Sequence, residues 1–544
     1  MTFLGSITRG GQTWAHRMRM LRQVFRITLF GSLISGGVFF AFKLYAQPKE
    51  NFQSLFYYMQ AILPSSIEKI EVDSTFWCKV SKTCYKKERV EVSKGELIKI
   101  SKQRIETLLT SVLLDIKNAG CISLLTFVSF TFFFLFRGIL TGRKKHLHGV
   151  QIEKAWKTAL KMKLLFKASD IKIGEIPLIK GSENRHMLIS GTTGTGKSNC
   201  LFELLRQIRK RGDRAVVVDT TGEIVSGFYR KEDVLFNPYD IRTAKWHPWC
   251  ECEESYHYRQ MVSALVPQKN SHGDDFFPEA ARAVLLSLLE KKGEERDFSI
   301  ESFIQTLLTE SGSFLFDELK DTPAATYLDP KGERTTLSIR ATVSNIIGHL
   351  RSLRDTDKPF SIRDWILDTE NKDQWLFLSC TTEQRQELKT LISLWMSIAM
   401  DAMKAKDYSS SNQKTWFIID ELPSLQKLEC LEESLSELRK YGGCIVIATQ
   451  NLSQLDKLYG HHSTRAIIDQ CNTKVCFRQS DAEIASRMSS FFGQREFREP
   501  QEGLSYGAHE MRDGVSLSNI EKTKATVSAT HILSLPDLEA FIKL

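Results

Sequence analysis

The chain has no internal repeat and no low-complexity tract, and its composition does not suit a disordered protein. Hydrophobic residues make up 42% of the 544 positions and aromatics 10%, enough for a large core and for two to four domains. The first 26 residues contain no aspartate or glutamate, yet they carry Arg9, Arg17, Arg19, Arg22 and Arg26. Two further stretches carry no charge at all, Ile27 to Phe42 and Ala119 to Phe136. Ten of the 33 phenylalanines cluster in these two stretches. A net charge of +9 permits a nucleic-acid or acidic-lipid partner without requiring one.

The two uncharged stretches predict a transmembrane hairpin. Leu44 to Ala46 extend the first past Lys43, which snorkels, to the roughly 20 residues a bilayer needs. No small-x-small cleavage site follows, which argues against a signal peptide, and the arginine-rich flank argues against a buried core helix. Arg137, Arg143, Lys144 and Lys145 follow the second stretch, so basic residues flank the hairpin on one side. The positive-inside rule then places both termini in the cytoplasm and residues 47–118 outside. In that exported loop Cys78 and Cys84 are expected to form a disulfide, whereas the cytosolic cysteines stay reduced.

The chain is organised around Gly191-Thr192-Thr193-Gly194-Thr195-Gly196-Lys197-Ser198, which fits the P-loop pattern. An apolar strand, His186 to Ser190, precedes it. A helix follows, with Leu201, Leu204, Leu205 and Ile208 on one stripe. Loop amides and the helix N-terminus favour polyphosphate. Lys197 is expected to reach the β- and γ-phosphates and Ser198 to ligate Mg²⁺, with ATP as the nucleotide. Trp416 to Ile419 followed by Asp420-Glu421 reads as a Walker B strand, in which Asp420 holds Mg²⁺ and Glu421 polarises the attacking water. Gln450, after the next strand, is expected at the same sheet edge. A cation on the developing charge is also expected; Arg439, Arg465 and Arg478 are its candidates, and spacing alone does not choose among them.

Further apolar strands at Arg214–Asp219, Trp375–Cys380, Cys444–Thr449 and Lys474–Arg478 alternate with helical segments such as Leu388 to Met403, which predicts an α/β fold with a parallel, doubly wound sheet. Between Tyr256 and about Ser352 strand-like runs vanish and helical periodicity takes over, predicting an inserted all-α domain. The expected division is therefore 1–26 basic terminus, 27–46 first span, 47–118 outside loop, 119–136 second span, 137–255 and 356–544 the two parts of a nucleotide-binding domain, and 256–355 the all-α domain. His247, Cys250, Cys252 and His257 crowd together but match no standard zinc spacing. His146-Leu147-His148 reads as a solvated basic linker.

Taken together, these features resemble the type IV coupling proteins of conjugation, the TraD branch in particular. Short landmarks in the same order carry the likeness: Gly10-Gly11-Gln12, Arg211-Gly212-Asp213, Ser338 to Ala341, Ile362 to Trp365, Asp420 to Pro423, Tyr441 to Cys444, Ser505 to Ala508, Arg512 to Ser516 and Ser534 to Leu538. The resemblance implies a RecA-like P-loop motor, assembled as a homohexamer around a channel at a bacterial inner membrane. Such motors use ATP and Mg²⁺ to feed single-stranded DNA, with its attached relaxase, into a type IV secretion channel. By position it favours Arg439 as the arginine acting across the subunit boundary and Gln450 as the coupling glutamine. TraD-like chains continue into a long tail that docks a DNA-bound accessory protein. This chain ends at Leu544, within the last expected strand, so tail docking is not carried over. Two rival readings are an FtsK-type DNA translocase and a non-hydrolysing membrane receptor for secretion substrates.

Overall fold

A computed structural model describes residues 3–64, 68–141, 145–267, 276–308, 312–328, 333–368, 370, 373–406, 413–505 and 514–544. Arg143 and Lys144 of the basic flank and residues 506–508 and 512–513 of the expected landmarks lie outside the described residues. The chain divides into two units. One contains residues up to Leu147 together with Phe497–Lys522; the other contains His148–Glu496 and Thr523–Leu544.

In the first unit, helices α1 (Phe3–Tyr45) and α2 (Lys94–Thr141) run antiparallel. Each is longer than the expected span, because the basic terminus continues into α1 and the segment before the second span is already helical. Both are long and apolar enough to cross a membrane. Their apolar side chains, Phe30, Val38, Leu124 and Phe132 among them, are exposed rather than packed in a protein core. The two helices meet through small and hydroxyl side chains. Ser35 and Thr126 share a 2.9 Å hydrogen bond, and Ser123 donates to the Ser32 carbonyl at 2.9 Å. A Cβ on Gly36 would stand 2.9 Å from the Ala119 carbonyl oxygen, so glycine there sets how closely the backbones approach.

Between α1 and α2 the chain folds into a small body. Strand Lys69–Asp73 pairs antiparallel with Arg89–Ser93, and helices Lys49–Ile62 and Ser74–Ser81 pack beside them. Its core comprises Val72, Phe76, Trp77, Val92 and Leu97. Cys78 and Cys84 are joined in a disulfide. The His146–His148 segment is not a solvated linker. It lies in strand Lys145–Gly149, part of a three-stranded sheet with Gln494–Ser505 and Gly514–Ala525.

The second unit is built on an eight-stranded sheet: β1 (Met187–Ser190), β2 (Arg214–Asp219), β3 (Val234–Phe236), β4 (Trp375–Ser379), β5 (Thr415–Ile419), β6 (Gly443–Thr449), β7 (Thr473–Cys476) and β8 (Phe541–Lys543). Its order is β8-β7-β1-β6-β5-β2-β4-β3. Strands β1 to β7 are parallel, which explains their continuous apolar runs: both faces are covered. Alternate side chains serve opposite faces. Val217, Phe377, Ile418 and Val446 meet helix α3 (Lys197–Arg211), while Val216, Leu378, Phe417 and Ile447 meet helix α4 (Arg385–Lys404) and the helical region. The edge strand β8 departs from the expected parallel sheet: it runs antiparallel to β7. The connection from β7 runs through helix Ala482–Phe492, strands Gln494–Ser505 and Gly514–Ala525 and helix Ala529–Leu533 before β8 returns beside it.

From Ser255 to Leu367 the described residues contain helices and turns but no strand; the helices include Phe276–Glu294 and Glu333–Ile347. Glu251 ties the two ends of this region to each other. Its buried carboxylate accepts from the amides of Ile362 (2.7 Å) and Arg363 (2.9 Å) and from the Trp246 indole (2.8 Å).

Candidate nucleotide site

The loop Gly191–Gly196 leaves β1 and enters α3 at Lys197. Gly196 has φ +114°, and a Cβ there would meet Leu538 at 3.1 Å and Phe477 at 3.2 Å. Gly191 is tighter still, since its Cβ would lie 2.5 Å from that of Phe477. Both positions therefore require glycine. Thr195, fully buried, closes the loop by donating to the Thr192 carbonyl at 2.7 Å, and Lys197 Nζ reaches back to the same oxygen at 2.9 Å. The Thr192 amide is anchored on the Arg478 carbonyl at 3.0 Å.

Asp420 and Glu421 follow the end of β5, and Gln450 the end of β6, at the same carboxyl edge as the loop. Thr193 Oγ1 donates to Gln450 Oε1 at 2.8 Å, and the Gln450 amide donates to Glu421 Oε1 at 3.3 Å. The second carboxylate oxygen of Glu421 is buried without a hydrogen-bond partner. Thr220, after β2, donates to Asp420 through its amide at 3.1 Å. A cavity of about 260 Å³ lies among these groups, lined by Thr193, Gly194, Gly196 to Ser198, Asp420, Glu421 and Gln450.

The electrostatics follow from crowding. Burial raises the Asp420 pKa to about 7, with the neighbouring Asp219 charge adding to it. Burial raises Glu421 to about 6, opposed by the Gln450 amide and by Lys197. Burial lowers the Lys197 pKa, while the Glu421 charge works the other way. Two carboxylates that resist ionisation, a serine hydroxyl at Ser198 and a lysine form a hard-oxygen site suited to Mg²⁺ and a triphosphate.

The three candidate arginines separate clearly. Arg439 is exposed at the amino edge of the sheet, in the turn Leu438–Tyr441 before β6; its carbonyl accepts from Asn184 at 3.2 Å. Arg478 is beside the loop, but its guanidinium is paired with Asp537 at 2.6 Å. Arg465 is exposed on helix His461–Gln470, 3.8 Å from Asp469. Sequence reasoning missed Arg385, the first residue of α4. It lines the cavity and donates to the Thr220 carbonyl through Nε (3.2 Å) and Nη2 (2.9 Å). No local motif marks it, because only the pairing of β4 with β2 brings it there. Leu538 belonged to a landmark of the sequence, but its place in the cavity depends on the connection that carries it to β8.

His247, Cys250, Cys252 and His257 do not converge on a metal. The His247 ring accepts from the Cys250 amide at 3.2 Å, the His257 ring accepts from the Glu253 and Glu254 amides at 3.1 Å, and no cluster of three or more histidine, cysteine or acidic side chains placed to share a metal occurs among the described residues.

A phosphate loop at the carboxyl edge of a parallel sheet, facing an acidic pair with β6 between, and a helical region interrupting that sheet, define a RecA-like P-loop domain bearing an all-α domain. Comparison narrows the class. Residues 170–544 match the family of the type IV secretion-system coupling protein DNA-binding domain, and the chain belongs to that family. It is 35% identical over 384 residues to coupling protein TraD of Escherichia coli (strain K12), which covers 70% of this chain and 53% of TraD; the chain thus spans about half the length of that relative. Two solved structures of plasmid coupling protein TrwB, one with ADP and Mg²⁺ and one with a non-hydrolysable ATP analogue, are each 26% identical with a TM-score of 0.65. Each covers 74% of this chain, which matches 91% and 92% of them respectively.

Proposed function

We propose that this protein is a coupling ATPase of conjugation, anchored in a bacterial inner membrane by α1 and α2 with both termini cytoplasmic. It hydrolyses ATP with Mg²⁺ to move single-stranded DNA, with its attached relaxase, into a type IV secretion channel. The working form is a homohexamer.

Loop amides and Lys197 would hold the phosphates, and Ser198 and Asp420 would hold Mg²⁺, which would supply positive charge to offset that of the triphosphate. Gln450, fixed by Thr193, orients a water towards the γ-phosphorus. Glu421 takes that water's proton on its unpartnered oxygen as the bond to the ADP oxygen breaks. The observation that carries this reading is the unpaired buried oxygen of Glu421, a residue that lines the same cavity as Lys197. An unpaired buried acceptor is costly, and a receptor that only held nucleotide would gain nothing from it. Membership of the coupling-protein family leaves the FtsK reading without support.

Arg439 supports hydrolysis at a subunit boundary. It stands at the amino edge while the loop stands at the carboxyl edge, so it serves a neighbour's site rather than its own. DNA would be held through phosphates, without regard to base sequence. The test is steady-state ATPase of the detergent-solubilised full chain with and without single-stranded DNA. Assembled protein should turn over faster with DNA; assembled protein that leaves ATP intact in both conditions rules the motor out.

A further inference from the structure

We infer that Leu538 and the turn carrying it form the wall against which the nucleoside end of the nucleotide lies. It therefore sets how tightly a nucleoside triphosphate is held relative to a bare triphosphate. This deepens the nucleotide-binding reading above and rests on it.

The direction of the ligand follows from the sheet order. Asp420, Glu421 and Gln450 stand after β5 and β6, on one side of β1, so the terminal phosphate points to that side. The nucleoside must then leave the loop on the other side of β1, where β7 and β8 lie. Leu538 is the residue from that side lining the cavity.

Its local structure is unusual for a connection residue. Leu538 adopts φ +66°, a left-handed conformation that costs a side-chain-bearing residue energy. Its side chain is 67% exposed, so no core packing compensates. What holds it is the loop itself: the Leu538 amide donates to the Thr195 carbonyl at 2.9 Å, and its side chain packs beside Gly196. The Asp537–Arg478 pair fixes the same turn a second time, because the Arg478 carbonyl accepts from Thr192. A strained, exposed leucine fastened to the phosphate loop and lining its cavity gains cover when a flat apolar face is laid on it. A leucine side chain has no hydrogen-bonding group, so it would not distinguish the edges of adenine and guanine.

The experiment is calorimetric titration of the full chain in detergent with MgATP, MgGTP and tripolyphosphate. For Leu538→Ala, ATP and GTP should each bind about fivefold more weakly, the loss expected from removing part of an apolar contact. Tripolyphosphate affinity should not change, and Leu538→Met should restore both nucleotides. Equal loss for tripolyphosphate would overturn the inference, showing that Leu538 only buttresses the loop. Unchanged affinity for all three ligands would overturn it as well. A wild-type chain that binds ATP no better than Lys197→Ala overturns the nucleotide-binding reading, and this inference with it.

Discussion

Replacing Arg439 by alanine separates a role within one subunit from a role between two. Strand β6 spans Gly443–Thr449, with Arg439 before its start and Gln450 after its end. Its seven residues at about 3.3 Å each put roughly 23 Å between the two, several times the reach of a side chain. Arg439 cannot reach its own loop. If it acts on a neighbour's nucleotide, Arg439→Ala should lower turnover about a thousandfold or more, or ~4 kcal/mol in the barrier. Binding of ATP should stay near wild type. The decisive assay mixes Arg439→Ala subunits with Lys197→Ala subunits, each nearly inactive alone. A boundary works only where the first kind supplies the loop and the second supplies the arginine. In a closed ring assembled at random from equal amounts, about one boundary in four qualifies, so roughly a quarter of wild-type turnover should return. Two affinity tags recovered on one assembly prove the mixing. Mixed assemblies no faster than the two parents would refute the reasoning.

Lys197→Ala should abolish ATP binding, read by calorimetry, while leaving membrane insertion intact. Glu421→Gln should bind ATP and hydrolyse it about a hundredfold or more slowly, as removal of a general base does; undiminished turnover would take Glu421 out of that role. Because Glu421 is held at about 6 and Asp420 at about 7, and both are needed ionised, kcat/KM should rise with pH across about 6 to 7 rather than near 4. Away from the site, burial opposes the charge of Glu183, but hydrogen bonds from Arg211, Lys414 and Ser169 overcome it and hold its pKa at about 2. A lowered carboxylate pKa stabilises the fold above its unfolded value and loses that contribution as pH falls. Glu183 should therefore supply about 3 kcal/mol at neutral pH, lost between about 4.5 and 2. Acid unfolding of Glu183→Gln against wild type checks this.

What the sequence disclosed was contiguous or periodic. The phosphate loop is one uninterrupted stretch. β2, β5 and β6 are apolar on both faces, so their runs stand out without an alternating pattern. Asp420 was visible because it ends such a run. Arg385 was not, since its partner Thr220 lies 165 residues away and nothing near it in the chain announces a site. Leu538 belonged to a landmark, Ser534 to Leu538, whose place over the loop depends on β8 turning back beside β7. His146–His148 misled because a short polar strand has no apolar run to betray it. Among the arginines, Arg478 lies beside the loop, but spacing could not reveal that Asp537 already holds it.

Helix α2 has one more consequence. Its 48 residues make a rod of about 72 Å at 1.5 Å per residue, more than twice the roughly 30 Å of hydrocarbon it would cross. Its first turns carry Leu97 into the small core with Phe76 and Trp77, and no break separates that end from the exposed phenylalanines of the apolar stretch. A sideways push on the small body would therefore tilt or rotate the span like the handle of a lever, because no joint along the rod exists to absorb it.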